Sequence, residues 1–372
     1  MRRYTVLSLF TGAGGLDLGF DQEGFQHLEA VEFNPWAVQT LRRNRPHWNV
    51  QEADVRLYEP RLPERPDVLL AGFPCQGFSL GGHRNDSDER NTLYREVIRV
   101  ARQVRPRVIV IENVLNLRTM LTPDTNRPFA QQIAADLEDA GYSVHFDIFR
   151  VSGFGVPQTR RRFIFVAFLG GAPAGYHLPQ PGKPTTIRSF LHDLAHDDLP
   201  APLPNHDPVW GFESAVHRQT GEPFSLSEAV VPVRFSRTAS DGHPVRSFDE
   251  PFPAVDTATV WGWAQGCVSA ARHIKDRASE KYIRNPEASV TLWRVSASRL
   301  RSFTHREYAR LQTFPDHWEF FGHNRRDIQM QIGNAVPVEF ARRVARNVHQ
   351  VLEDLDAGRP FLDTEAQVMS LF

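Results

Sequence analysis

From Tyr4 to about Phe168 the chain alternates short, wholly apolar runs with stretches of helical spacing, and that alternation leaves few architectures open to it. Runs such as Val68–Ala71 and Val108–Ile111 are apolar at every position, as strands are when helices cover both faces of a parallel sheet. Tyr4–Leu9 and Leu28–Val31 read as further strands. Leu16–Glu23, Leu93–Val104 and Phe129–Ala140 have helical spacing, the last stopped by Gly141, and Pro35–Asn44 opens with proline in a first-turn position. Ser143–Val151 and Arg162–Phe168 are expected to close the sheet as a β pair. The pattern predicts an α/β fold with a doubly wound, mostly parallel, Rossmann-like sheet.

After Gly170 the texture changes. Gly171–Pro208 carries Pro179, Pro181, Pro184, Pro200, Pro202 and Pro204 and reads as a connector. From Val209 to about Ser298 the segments are short, aromatic and loop-heavy, which predicts a second, smaller, loop-rich domain. Thr304–Thr313 resumes as a helix, and Pro337–Leu355 is a stronger one with Phe340, Val344, Val348 and Leu352 along one face. It is too isolated to form a core alone and is expected to return to the first lobe. The expected division is a large domain over 1–183, a small domain over 184–298, a hinge over 299–327, a returning segment of the large domain over 328–355, and a peripheral tail over 356–372.

Length and composition bound the function. A chain of 372 residues with 41% hydrophobic and 23% charged content can bury a substantial core. No run approaches the roughly 20 apolar residues of a membrane span, and the N-terminus enters a strand without a signal-peptide core. Two cysteines, Cys75 and Cys267, exclude a disulfide framework and suit a reducing cytoplasm. The net charge of −1 is not that of a uniformly basic nucleic-acid binder. Yet one stretch, from Arg234 through Arg301, concentrates arginine, whose fork suits phosphates and guanine edges.

The chemistry-bearing segments fall at strand ends. Ser8–Gly15 places glycines between the first strand and first helix, where a ligand can approach backbone amides. Glu32 ends the second strand, a position that suits a ribose diol. Pro74-Cys75-Gln76 follows one central strand and Glu112-Asn113-Val114 ends the next. One thiol paired with one carboxylate is what methylation at carbon 5 of a pyrimidine requires. A thiolate adding to carbon 6 turns the ring into an enamine, and an acid at nitrogen 3 stabilises the charge formed.

Six segments in order carry a family resemblance: Leu9–Gly15, Gly72–Ser79, Glu112–Val114, Gln158–Arg162, Arg306–Gln312 and Gln331–Pro337. Together they resemble the DNA (cytosine-5)-methyltransferases, specifically the compact bacterial type of restriction–modification systems. The resemblance covers nearly the whole chain apart from the variable middle and the tail. It implies S-adenosyl-L-methionine as methyl donor, S-adenosyl-L-homocysteine as product, and a cytosine flipped out of double-stranded DNA, since a stacked base is out of a thiolate's reach. No metal is expected, because methyl transfer from a sulfonium needs none and the histidines show no ligand spacing. A separate cognate endonuclease, monomeric action and a cytoplasmic, nucleoid-associated location complete the expectation.

Residue by residue, the resemblance implies Cys75 as nucleophile, Glu112 at nitrogen 3 and the exocyclic amine, Asn113 orienting that loop, Arg162 near the cytosine carbonyl and the thiolate, and Arg160 as its support. Arg161, alternating to the opposite face, reads as a solvated charge. Phe10, Gly12 and Gly14 are expected beside the donor's methionine portion, Glu32 on its ribose, Phe33 against its adenine and Asp54 with Val55 at the adenine amine. Pro74, Leu93 and Asn334 complete that pocket. Ser79 and Arg84, in the glycine-rich loop 77–91, are expected to meet DNA phosphate, and Arg234, Arg237, Arg246 and Arg272 are candidate base readers.

Three rival readings exist. The tRNA-directed relatives carry Cys-Phe-Thr in the recognition region, whereas Cys267 is followed by Val268-Ser269. A non-catalytic DNA-binding homologue would have lost the thiol. A nicotinamide dehydrogenase accounts for Gly12–Gly15 and leaves the other five segments unexplained.

Overall fold

The computed structural model describes residues 3–74, 93–122, 124–196, 199, 201–211, 214–219, 230–235, 243–244, 246–275 and 291–361; for 214–219, 231, 243–244, 266–275 and 291–299 it describes the backbone only. A seven-stranded sheet forms the larger unit, from β1 (Thr5–Leu9), β2 (Gln26–Glu32), β3 (Val50–Glu52), β4 (Val68–Ala71), β5 (Val108–Asn113), β6 (Tyr142–Arg150) and β7 (Arg161–Leu169). The spatial order is β3-β2-β1-β4-β5-β7-β6. β1 to β5 pair in parallel, while β7 runs antiparallel to both β5 and β6, as the closing pair predicts.

Chain order reverses direction between β1 and β4, and the carboxyl ends of strands at such a reversal are where open α/β sheets bind ligands. Helices cover both faces. α1 (Gly15–Gln22) and α8 (Val338–Ala357) pack together on one side, where α8 buries Phe340, Val344, Val348 and Leu352 against Val110, Ile164, Val166 and Phe168. α3 (Tyr94–Val104) and α4 (Phe129–Asp139) bury Val97, Ile133 and Leu137 on the other, against Ile109, Ile111, Phe163 and Phe165. α2 (Pro35–Asn44) starts as the proline predicts, with the Asn34 side chain accepting from the Trp36 and Ala37 N–H groups.

The smaller unit differs from its expected loop-heavy character. It is a five-stranded sheet of β8 (Ser214–Gln219), β9 (Val230–Arg234), β10 (His243–Pro244), β11 (Trp261–Lys275) and β12 (Thr291–Ser302), ordered β10-β8-β12-β11-β9. β11 and β12 are 15 and 12 residues long. A register shift between Val268 and Arg272 interrupts the two-residue alternation that would have announced so long a hairpin.

Two helices depart from the sequence expectation. α5 (Arg188–Ala195) lies within the proline-rich connector and buries Leu191, Leu194 and Ala195, but no side chain caps its start, so the sequence carries no entry signal. α7 (Arg325–Asn334) occupies part of the expected hinge and its return; Asn324 and Asp327 form its capping box. Between them α6 (His305–Leu311) begins at Thr304, capped reciprocally with Glu307.

Apolar packing joins the units. One cluster runs from Val38, Leu41 and Trp48 through Leu191 and Leu194 to Trp263, Phe303 and Trp318. At its centre Glu307, fully buried, accepts from both terminal nitrogens of Arg301 at 2.9 and 3.0 Å and from the Trp263 indole at 2.5 Å. No helix among the described residues is long and apolar enough to cross a membrane.

Candidate active site

β4 and β5 end side by side, and the segments expected to carry chemistry leave from those two ends. Glu112, on the last buried rungs of β5, points to the α1–α8 side with Val108 and Val110. Asn113 points the other way and does two things. Its amide donates to the Phe73 carbonyl at 3.1 Å, and its side-chain oxygen accepts the Val114 N–H at 2.8 Å. The strand end carrying Glu112 is thereby tied to the Gly72–Pro74 turn that leads to Cys75. Cys75, Ser79 and Arg84 themselves lie outside the described residues, as does Arg237.

Arg162 meets Glu112 across the sheet. Glu112 pairs with Ile164, so Arg162 lies one same-face position further on and reaches back diagonally. Its Nε stands 2.5 Å from Oε1 of Glu112, with the two side chains only 13% and 10% exposed. Its NH1 donates to the Arg161 carbonyl at 2.9 Å. Burial pushes the Glu112 carboxyl upward and the Arg162 charge pulls it back; burial is the larger effect, so the carboxyl stays above its ordinary range.

Arg160 goes elsewhere. It is buried, and its NH1 donates to the carbonyls of Val255 at 2.7 Å and Gly333 at 2.9 Å. It joins the strand of Arg162 to the smaller unit and to α7. Gln158, to which the sequence assigned no separate role, belongs to the same joint. Fully buried, it accepts the Val255 N–H at 2.9 Å and donates to the Leu311 carbonyl and to the Gln312 side chain. Gln312 donates onward to Ile332 at 2.6 Å and Ala335 at 3.2 Å. A glutamine between proline and threonine carries no periodic signal; only its partners, about 95 to 155 positions away, disclose its use.

The candidate donor cradle lies at the carboxyl ends of β1 and β2. Phe10, Gly12 and Gly14 all take positive φ, at 56°, 58° and 83°. For Phe10 this is a sparsely occupied region, of the kind held only where the surroundings over-determine it. Glu32 accepts the Gly12 N–H and the Asn34 N–H, each at 2.7 Å, so both carboxylate oxygens brace the turn. Burial raises its pKa as well. A Cβ on Gly12 would meet nothing within 4 Å, and Phe33 beside the cradle is 71% exposed. These features fit a nucleoside-bearing donor.

Other members of the expected pocket divide. Leu93 and Phe10 are partly buried against the same apolar cluster, and Pro74 is partly buried at the turn. Asn334 is exposed at the end of α7, and the next residues return to the glycine turn: a Cβ on Gly15 would lie 2.2 Å from the Val336 carbonyl. Asp54 is already engaged, since Arg56 contacts both its oxygens and holds the carboxyl low. Val55 buries its side chain in the core and gives its carbonyl to Arg99. Its side chain is thus core rather than pocket wall. A surface recess of about 620 Å³ between α2 and Glu319–Phe321 contains none of the residues expected to bind donor or base.

In the smaller unit Arg234 and Arg246 are exposed, at the end of β9 and beside it, while only the backbone of Arg272, in β11, is described. Segment 251–257, whose Pro251 to Thr257 run resembles a short recognition-domain signature, reaches the Gln158–Arg160 joint, with the Thr159 N–H donating to the Phe252 carbonyl at 2.7 Å.

Comparison with known proteins decides the family. The model of the C-5 cytosine-specific DNA methylases matches residues 4–350. The chain belongs to that family, and is an enzyme. It is 30% identical to the Type II methyltransferase M.NgoMIV of Neisseria gonorrhoeae over 94% of its own length and 99% of the other. Against the Type II methyltransferase M.Eco47II of Escherichia coli it is 31% identical, over 95% and 80% of the two chains. A solved E. coli structure, described as a prophage-encoded DNA modification methyltransferase, superposes with a TM-score of 0.62 at 19% identity over 94% of this chain and 99% of that one. At that identity the likeness speaks to the fold alone.

Proposed function

We propose that this cytosine-5 DNA methylase transfers a methyl group from S-adenosyl-L-methionine to a cytosine everted from double-stranded DNA, through a transient bond to Cys75. The Glu112–Arg162 pair is the observation that carries the reading. A buried carboxyl with a raised pKa can stay protonated and donate to ring nitrogen 3 while its other oxygen accepts from the exocyclic amine. The Arg162 guanidinium beside it stabilises the oxygen of the same ring and favours the thiolate of Cys75. The Asn113 bond to Phe73 supports this by holding the carboxylate's strand against the turn that carries the thiol.

The Cys75 sulfur adds to carbon 6, breaking the 5,6 double bond and leaving the electron pair on carbon 5. When bound, S-adenosyl-L-methionine supplies the electrophilic methyl there, and the cradle of Phe10, Gly12, Gly14, Glu32 and Phe33 would hold it. Loss of the carbon-5 proton to a water-linked base then expels the sulfur and restores the ring. The likeness to Type II methyltransferases supports a modification role, in which the methylated cytosine would protect DNA against a separate endonuclease of the same specificity.

Bisulfite sequencing of a host plasmid carrying the gene tests substrate and position together. A single sequence context protected at one cytosine is expected; unmodified cytosines throughout would sink the reading. Cys75→Ala is expected to bind duplex DNA and donor while transferring no labelled methyl. Full turnover by that variant would remove Cys75 from the mechanism.

A further inference from the structure

The rim of the sheet past the end of β5, on the face opposite Glu112, carries an unbalanced pairing. Arg150, the last residue of β6, stands directly opposite Arg161, the first of β7. Residues so paired have Cβ atoms about 5 Å apart, and like charges there destabilise the sheet. Both arginines are exposed, and among the described residues neither guanidinium has a carboxylate or hydrogen-bond partner. The acid in β6, Asp147, pairs with Ile164 and so faces the opposite side. A third exposed cation, Arg118, ends the short turn Leu115–Arg118, which packs on β7. Leu117 of that turn shares an apolar cluster with Phe163 and Phe165, placing the turn on the same side of the sheet as Arg161.

The location makes the pairing informative. Phe163 pairs with Asn113, so Arg161 projects two residues, or roughly 7 Å, past the end of β5. Two residues before it, Thr159 is bonded to Phe252 of the smaller unit. The arginines therefore stand on the face of the sheet opposite Glu112, beyond the end of β5 and on the strand end that leads to the unit expected to read DNA.

We propose that Arg150 and Arg161, with Arg118 beside them, bind backbone phosphate of the duplex flanking the target cytosine. An anion placed between two guanidinium forks turns a repulsive pair into a bidentate site. Such a contact fixes the register of the duplex and carries no sequence information. The proposal rests on duplex DNA being the substrate and adds where, on the large unit, its backbone sits.

The test is a salt series of binding isotherms for a labelled duplex containing the bisulfite-mapped site. It compares wild type, Arg161→Gln, Arg150→Gln/Arg161→Gln, and Arg102→Gln as a control on α3 at the far end of the sheet. Removing one arginine–phosphate pair should lower the slope of log affinity against log salt by about 0.9, weakening binding roughly three- to tenfold at moderate salt. Without DNA, Arg161→Gln should unfold at a temperature no lower than wild type, because it relieves the like-charge pair. An unchanged slope in the double variant, or an equal loss in Arg102→Gln, overturns the proposal. Wild-type protein without affinity for the duplex would instead overturn the substrate reading beneath it.

Discussion

Nε of Arg162 lies 2.5 Å from Oε1 of Glu112, and among the described residues neither atom has any other hydrogen-bond partner. The contact is an attraction of charges in a site largely shut off from water, opposed by the burial that favours the neutral acid. The cation therefore sets how far the carboxyl can rise without becoming inert. Arg162→Gln removes the charge that holds the carboxyl down, so Glu112 should stay protonated to still higher pH. Turnover is expected to fall on the order of a hundredfold or more through lost stabilisation of the developing charge, while the alkaline limb of its pH profile moves upward. A pH profile of methyl transfer that falls in height with no movement of that limb would separate Arg162 from Glu112.

Gln158 ties three segments with one amide, and its loss strands groups that water cannot reach. In Gln158→Ala the Val255 N–H and the Leu311 carbonyl would be left buried and unpaired. Each orphaned group costs about 1–3 kcal/mol, so a loss of about 2 kcal/mol or more is expected in urea unfolding. Because the joint also seats the 251–257 segment beside the strand of Arg162, affinity for duplex DNA should weaken together with stability. A variant as stable as wild type would show that the joint is held by packing alone.

Gly19 is where α1 and α8 touch. A Cβ there would lie 2.5 Å from both the Ala341 Cβ and the Arg342 backbone nitrogen. Gly19→Ala, which gains helix propensity in isolation, should here destabilise the protein by about 1–3 kcal/mol through overpacking. Thermal unfolding would read it directly, and a rise in midpoint would mean that α8 shifts at no cost.

What could be read in advance follows from how far each signal extends along the chain. The parallel core was legible because Val68–Ala71 and Val108–Ile111 are apolar without interruption, which few environments other than a covered sheet tolerate. The carboxylate of Glu112 was legible as a polar residue closing such a run. α5 was not, because the prolines flanking Arg188–Ala195 outweigh an apolar stripe of three residues and no capping side chain marks its start. Asp54 was expected to face a ligand, but its partner Arg56 two residues on is an equally good claimant that sequence cannot rank. The long β11–β12 hairpin hid behind a bulge. The separate destinations of Arg160 and Arg162 were invisible, since alternation gives both the same face and only the distant carbonyls of Val255 and Gly333 divert the first.

His305 supplies a pH dependence of stability with a definite sign. Burial, aided by the Arg325 charge, lowers its pKa to about 4, against about 6.5 in an unfolded chain. Between those values the unfolded chain binds a proton that the folded protein refuses, so stability rises with pH across the window. The contribution is fully present above about pH 6.5 and is lost as pH falls toward 4. His305→Gln keeps a donor for the Arg325 carbonyl that the ring now contacts at 3.0 Å and removes the titration. Urea unfolding of the two proteins should therefore diverge as pH is lowered from 7 toward roughly 4, wild type losing the more. Parallel curves across that range would mean that the ring is protonated in the folded protein and that the α6–α7 junction opens to solvent around it.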